Sequence, residues 1–326
     1  MEKRTSMLVA AALVAASGAA FADTYPSKPI VVVVPYAVGG PTDSVARQIG
    51  QSMAKTLGQS VIVENVGGAG GTLGIARGAA ADPDGYRLLL NHISQATTPW
   101  LYKKTTYHSL NSFEPIGLIT DVPMMLVASP KFPANNVKEL IDYIKKNPGK
   151  VNLGNAGIGS ASHLCGMLFQ QAYNIDIATV PYKGTAPAMT DLMGGQIDIM
   201  CDQTTNTTGP VQSGRIKAFV VTTPTRLATM PNLPTAKEEG MPEPFASIAI
   251  WHGLYAPAGT PKPIVAKLSA TLQTALKDPV VIQRFADLGT APVALERATP
   301  EAHRKFLEAD IAKWGPVIQK AGVFAD

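Results

Sequence analysis

Cysteine is nearly absent: two residues in 326, Cys165 and Cys201, with no C-x-x-C pair. The five histidines, His92, His108, His163, His252 and His303, include no H-E-x-x-H and no other metal-ligand spacing, so no metal is expected. Nucleotide motifs fail as well. No G-x-x-x-x-G-K-[ST] occurs, and Gly157-x-Gly159-x-x-Ser162 lacks the last glycine of G-x-G-x-x-G. No cofactor is therefore expected. Charged residues make up only 16% of the chain and form no Lys/Arg cluster, which leaves nucleic acid unindicated as a partner. Beyond the N-terminus, no run approaches the roughly 20 apolar residues of a membrane-spanning helix.

What is present begins with a leader. MEKRTS is a positive n-region, MLVAAALVAASGAA an apolar stretch, and Ala20-Phe21-Ala22 an A-x-A cleavage site. Residues 1–22 are expected to be a signal peptide cleaved after Ala22, leaving an exported, periplasmic chain that starts at Asp23. The formal charge of +4 falls to +3 once Glu2, Lys3 and Arg4 leave, a mild balance with little bearing on partners. In an exported protein an even cysteine count is compatible with a Cys165–Cys201 disulfide; two buried free thiols fit equally well.

The remainder is 46% hydrophobic and long enough for about two domains. Strand-like and helix-like segments alternate: PIVVVVPY, then TDSVARQIGQSMAKTLG; VNLGNA, then a helix to about Tyr173. Such alternation predicts α/β architecture with mainly parallel sheets, split into two lobes because the strands are too many for one small sheet. Candidate crossovers lie near Ile119 to Pro123 and Val221 to Arg226. They give a first lobe of 23–122 plus 225–326 and a second of 123–224, with the C-terminal helices returning to the first.

Two loops carry the functional signal. In VVVVPYAVGGPTDSVARQI, a strand buried on both faces ends in Gly39-Gly40, and a helix starts with Pro41. Glycine permits close backbone approach, and Thr42 or Asp43 could cap the helix. The first N–H groups of that helix have no partner inside it and favour an anion at the carboxyl edge of the sheet. VNLGNAGIGSASHLCGMLF repeats the design, with Gly157, Gly159, Ala161 and the hydroxyls of Ser160 and Ser162, one of which is expected to cap. Two helix starts facing each other would hold a carboxylate through N–H groups and hydroxyls. Each turn taken alone could equally be structural.

Other candidates stay open. His163, in the first helical turn, is the strongest histidine for a site; His92 ends a strand and could reach a cleft; His303 lies in a polar helical stretch and should be solvated. Asp202 follows the strand IDIMC and could accept a hydrogen bond from a guest hydroxyl or amine, or cap the next turn. Thr185, after VPYKG, could donate to a guest or cap. Trp251 could be core, the commoner role, or cleft wall. A hydrolase built on Ser160, His163 and Asp202 has no G-x-S-x-G elbow behind it, and its His would stand three residues from its Ser on one turn.

YPSKPIVVVVPYAVGGPTDSVAR, ENVGGAGGTLG, AAADPDGYRLLL, NAGIGSASHL, VPYKGTAPAMTDLMGGQIDIMCDQ and LYAPAGTP together resemble the Bug (Bordetella uptake gene) family, and in order they span nearly the whole mature chain. These are periplasmic solute receptors of tripartite tricarboxylate transporters. The resemblance implies a type II periplasmic binding protein: two α/β lobes, two crossovers and an interdomain cleft that closes on its guest. It implies a monomer that binds a small organic carboxylate, an aliphatic dicarboxylate or an aromatic acid, and delivers it to integral-membrane transporter subunits without any enzymatic step. A sensory receptor docking on a membrane sensor would share the same clamshell. Family loops that hold a ligand carboxylate, often through ordered water, match Tyr36 to Asp43 (with Val38, Gly39, Gly40 and Thr42) and Gly157 to His163. The family's strand-end Asp matches Asp202, and its VPYKG loop matches Pro181 to Thr185. Many relatives have Ser where this chain has Pro41, which offers no N–H.

Overall fold

The computed structural model describes residues 25–325; the leader and its cleavage site lie outside the described residues. β1 (Ile30–Val34) lies between β2 (Val61–Asn65) and β3 (Arg87–His92), parallel to both. Flanked by partners and covered on its faces, its valine run needs no polar alternation. Beyond β3 the order continues through β9 (Ala249–Pro257), β4 (Phe113–Ala128), β7 (Ile199–Gln203), β5 (Asn152–Asn155) and β6 (Ala178–Pro181), with β8 (Lys217–Val221) also on β4.

β4 joins the halves. Its Phe113–Pro123 segment pairs with β9, while Met124–Ala128 pairs with β7 and Met125–Ala128 with β8. The expectation of mainly parallel sheets is corrected. β3–β9, β4–β9, β4–β7 and β4–β8 are all antiparallel, because the long strand and its return run against the βαβ units they connect. β4 begins at Phe113, nine residues before the apolar run VPMMLVAS at Val122; register shifts near Pro115 and Leu118 let one strand serve both halves.

The helices that matter for the site all start at strand ends. α1 (Pro41–Leu57) follows β1, and α2 (Thr72–Ala79) follows β2 and a glycine-rich turn. α3 (Ser94–Leu101) follows β3. α4 (Val137–Lys146), capped by Asn136, leads to β5. α5 (Ala161–Tyr173), α6 (Thr185–Gly194) and α7 (Thr204–Gln212) follow β5, β6 and β7. α8 (Lys262–Leu276), α9 (Pro279–Asp287) and α10 (Pro300–Ala321) complete the chain; α8 packs on α1, and α10 on α3 through Trp100 Nε1, which donates to the Ile311 carbonyl at 2.7 Å. Cys165 on α5 and Cys201 on β7 are bridged, with Cα atoms 5.8 Å apart.

Two side chains settle into the core. Trp251 is buried, its Nε1 donates to Asp310 Oδ2 at 2.8 Å, and it lines a cavity beside Phe306 and Trp314, away from the helix starts that follow β1 and β5. His303 corrects the expectation of a solvated residue. It is fully buried over Gly253, where any Cβ would collide with the ring, and it packs on Tyr255 with centroids 4.5 Å apart. Burial pushes its pKa down to about 3.

Candidate functional site

Four helix starts meet at one very small cavity of about 10 Å3. α1 brings Gly40, Pro41 and Thr42; α5 brings Ser160, Ala161 and Ser162; α6 brings Thr185; Gln203 stands at the N-cap position of α7, with no side-chain cap. Tyr36, His92, Ala156 and Asp202 complete the lining. Each helix start points N–H groups without intrahelical partners toward this space, and the partial positive ends add. No lysine or arginine lines the cavity.

The two glycine loops achieve this differently. At α1 the N-cap is Gly40, with no side-chain cap. Thr42 and Asp43 therefore do not cap as expected. Asp43 instead accepts from the Gly39 N–H at 3.0 Å and from Arg47 Nε at 2.9 Å and Nη2 at 3.0 Å. Pro41 at the first helical position contributes no N–H, and its fixed φ suits that place. At α5 the expected serine cap is present: Ser160 Oγ accepts from the His163 N–H at 3.2 Å. Ser162 Oγ accepts from the Ala156 N–H at 2.9 Å and lies 3.2 Å from Ser160 Oγ. Gly157 (φ 96°) and Gly159 (φ 85°) supply the left-handed backbone that carries the loop over the strand end.

The two halves touch around the cavity. The Ala37 N–H donates to the Lys183 carbonyl at 3.2 Å, Thr97 Oγ1 to the Gly159 carbonyl at 3.1 Å, and Tyr102 OH to the Ile158 carbonyl at 3.0 Å. Glycine makes this approach possible. A Cβ on Gly70 would collide with the Ile158 carbonyl oxygen, and one on Gly67 would stand 2.6 Å from the Lys183 oxygen. On the opposite side, a Cβ on Gly184 would stand 2.7 Å from Ala37 N.

Electrostatics inside the cavity are set by burial. His92 stacks on Tyr36 (centroids 4.7 Å apart), and its pKa lies well below the usual imidazole value through burial and then the neighbouring His252. The Ser94 N–H donates to His92 Nδ1 at 3.2 Å, so the neutral ring carries its proton on Nε2. Tyr36, whose phenol donates to the Gly70 carbonyl at 3.0 Å, has its pKa raised chiefly by burial. Asp202 is fully buried, and desolvation lifts it to about 6 against hydrogen bonds from Asn206, Gln203 and Thr185. Its Oδ2 accepts from Asn206 Nδ2 at 2.6 Å; its Oδ1 has no partner among the described residues.

Of the residues singled out in the sequence, Tyr36, Gly40, Thr42, His92, Ser160, Ala161, Ser162, Thr185 and Asp202 line the cavity. Val38, Gly39, Asp43, Gly159 and His163 do not. Val38 is 62% exposed, and Asp43 is turned toward Arg47. Gly159 shapes the backbone and donates its N–H to His163 Nδ1 at 3.3 Å. The His163 ring lines a separate cavity beside Met167 and Gln170, and burial lowers its pKa to about 4. A serine hydrolase would need that ring on Ser160, and it faces elsewhere. Three lining residues were not anticipated as site residues: Pro41, Ala156 and Gln203. Gln203 had a legible signal, since it follows Asp202 at a strand end and immediately precedes the next helix.

The family model for the tripartite tricarboxylate transporter family receptor matches residues 45–323. A UPF0065 protein from the ttuE–ttuC' intergenic region of Agrobacterium vitis is 50% identical over 300 residues, 92% of this chain and 86% of its own. Among solved structures, the periplasmic binding protein BugD is 51% identical with a TM-score of 0.89, covering 92% of this chain and 99% of that one. MatC from Rhodopseudomonas palustris, with bound malate, is 39% identical with a TM-score of 0.85, covering 90% and 100%. A further R. palustris protein, with adipate, is 30% identical with a TM-score of 0.86, covering 92% and 99%. With two α/β halves joined at β4 and β9 and helix starts converging between them, the chain belongs to the Bug-type receptors of the tripartite tricarboxylate transporter family and has the periplasmic binding protein fold.

Proposed function

We propose that the protein is a periplasmic receptor that takes a small organic carboxylate into the cavity between its halves, closes over it, and delivers it to a tripartite tricarboxylate-type membrane transporter. The convergence of four helix starts on a cavity without lysine or arginine carries this reading. One helix end favours an anion by about 0.3–1 kcal/mol, whereas micromolar affinity needs about 8 kcal/mol. Several ends, the serine and threonine hydroxyls and burial must therefore act together. With room for only about 10 Å3 in this arrangement, the halves must part to admit any guest, and we read that guest as a compact aliphatic diacid. The malate- and adipate-bound relatives point the same way. Binding and closure account for the site without bond chemistry.

A thermal-shift screen of aliphatic and aromatic carboxylates tests the reading. A cognate acid at about 100 times its dissociation constant should add about 2.7 kcal/mol of stability. Gly70→Ala, which sets a methyl group against the Ile158 carbonyl at a positive-φ position, should lower the stability of the unliganded protein and remove most of that shift. A panel without any stabilising acid rejects carboxylate capture; an unchanged shift in Gly70→Ala rejects closure.

A further inference from the structure

A second cavity, of about 440 Å3, lies where β4 and β9 pass from one half to the other. It is separate from the one between the helix starts. Trp251 and His252 are successive residues of β9 and so point to opposite faces of the sheet. His252 Nε2 stands 3.4 Å from Thr42 Oγ1 on the cleft side, whereas Trp251 meets Phe306 of α10, with ring centroids 5.4 Å apart. The floor is the crossing itself, where Asp121 of β4 pairs with Trp251. One wall is α10, with Phe306 and Trp314. The other comes from the second half: Leu168 of α5, and the turn at 244–248, whose Phe245 packs on Phe169 with centroids 5.7 Å apart. The cavity therefore straddles both halves, and α5, whose start borders the cleft, also walls this space.

Its chemistry has a sign. Three rings, Trp251, Phe306 and Trp314, offer apolar faces. Both carboxylates of the lining are committed: Asp121 accepts from the Arg297 guanidinium on both oxygens, and the buried Asp310 accepts from Trp251 Nε1 at 2.8 Å. Arg297 and Lys313 stand 5.4 and 5.7 Å from the Phe306 and Trp314 ring centroids, so a cationic guest would find those faces taken. Lys313 is exposed and has no hydrogen-bond or ion-pair partner among the described residues. The uncommitted charge in this lining is a positive one.

We propose that this cavity is a second binding site, for a small aromatic carboxylate whose ring lies among Trp251, Phe306 and Trp314 and whose negative end meets Lys313. Its volume falls within the roughly 300–1,000 Å3 usual for small-molecule sites. Because its walls come from both halves, an occupant shaped to this space favours the arrangement in which the halves touch. The site stands apart from the carboxylate-receptor reading; only its coupling to the cleft rests on that reading. Filling either place should strengthen binding at the other by the same factor.

Phenylacetate and benzoate are the probes, followed by titration calorimetry and tryptophan fluorescence. Ala309 lines the cavity from an exposed position of α10, so Ala309→Leu fills the space where a helix tolerates leucine, and should abolish binding of both probes while malate or adipate still binds. Lys313→Gln keeps the space and should weaken phenylacetate about tenfold, the loss of one charge-assisted hydrogen bond. Saturating malate or adipate, whichever binds, should tighten phenylacetate. Probe binding that neither variant alters, or that the diacid displaces, puts the aromatic acid in the cleft and overturns the site, as does the failure of both probes to bind. A phenylacetate affinity that the bound diacid leaves unchanged overturns the coupling. If neither diacid binds, the coupling falls with the cleft reading, and the two variants still decide the site.

Discussion

Asp43 and Asp202 are both buried beside the cavity, one on each half, and they sit in opposite circumstances. Asp43 is saturated: Gly39 and Arg47 donate to its two oxygens, and although burial raises its pKa, those bonds bring it below the ordinary value. Asp202 leaves its Oδ1 without a partner among the described residues, and burial lifts it to about 6. A buried carboxylate that the protein satisfies serves the fold; one that the protein leaves half-satisfied is held for something else. Sequence proximity to a glycine loop did not separate the two. Their partners do.

Three variant experiments press on this contrast. The largest effect is expected at Asp202. In the unliganded protein the ionised carboxylate costs stability at neutral pH, and the span from 3.8 to about 6 corresponds to about 3 kcal/mol. Because the folded value is raised, wild type should weaken as pH climbs from about 4 to about 6. Asp202→Asn should not, so the variant melts higher at pH 7 and level with wild type near pH 4. Equal melting curves at pH 7 would erase the contrast. Asp43→Asn should move the other way, losing about 2 kcal/mol at pH 7 as charge-assisted bonds become neutral ones. Its folded value is lowered, so the gap should persist above the ordinary carboxylate value and close only as pH falls through the lower, folded one. Denaturant titrations at pH 7 and pH 3 read this directly. The smallest effect compares the two loops themselves. Ser160→Ala removes a helix cap and should cost about 1 kcal/mol of stability together with affinity. Thr42→Ala removes a hydroxyl that caps nothing and meets only the buried His252 Nε2, at 3.4 Å, so it should cost affinity with a smaller loss of stability than Ser160→Ala. Equal stability losses would mean that the loops are built alike.

The same division decides how legible the protein was. Strand ends followed by glycine and a helix start could be read because backbone geometry leaves few residue choices there: Gly157 and Gly159 at positive φ, Ser160 as a cap. α3 and α7 were hidden. Their sequences, SQATTPWL and TTNTTGPVQ, carry proline and clustered threonines that read as loop, yet they fold as helices because Thr97, Thr204 and Thr207 are buried by their neighbours. β9 was read only for Trp251; its length emerges from pairing with β3 and β4, segments far away in the chain.

By itself, the amino-acid sequence determined the α/β alternation, the two backbone loops and the family, since each depends on residues close together or on motifs in order. Only the tertiary structure decided which buried polar atoms are left without partners. His163 turned to another cavity, His303 entered the core, Asp43 found Arg47, and Asp202 Oδ1 was left open to the space between the halves. Satisfaction of a polar group is a property of everything around it, and most of what surrounds a site in this fold arrives from distant segments of the chain.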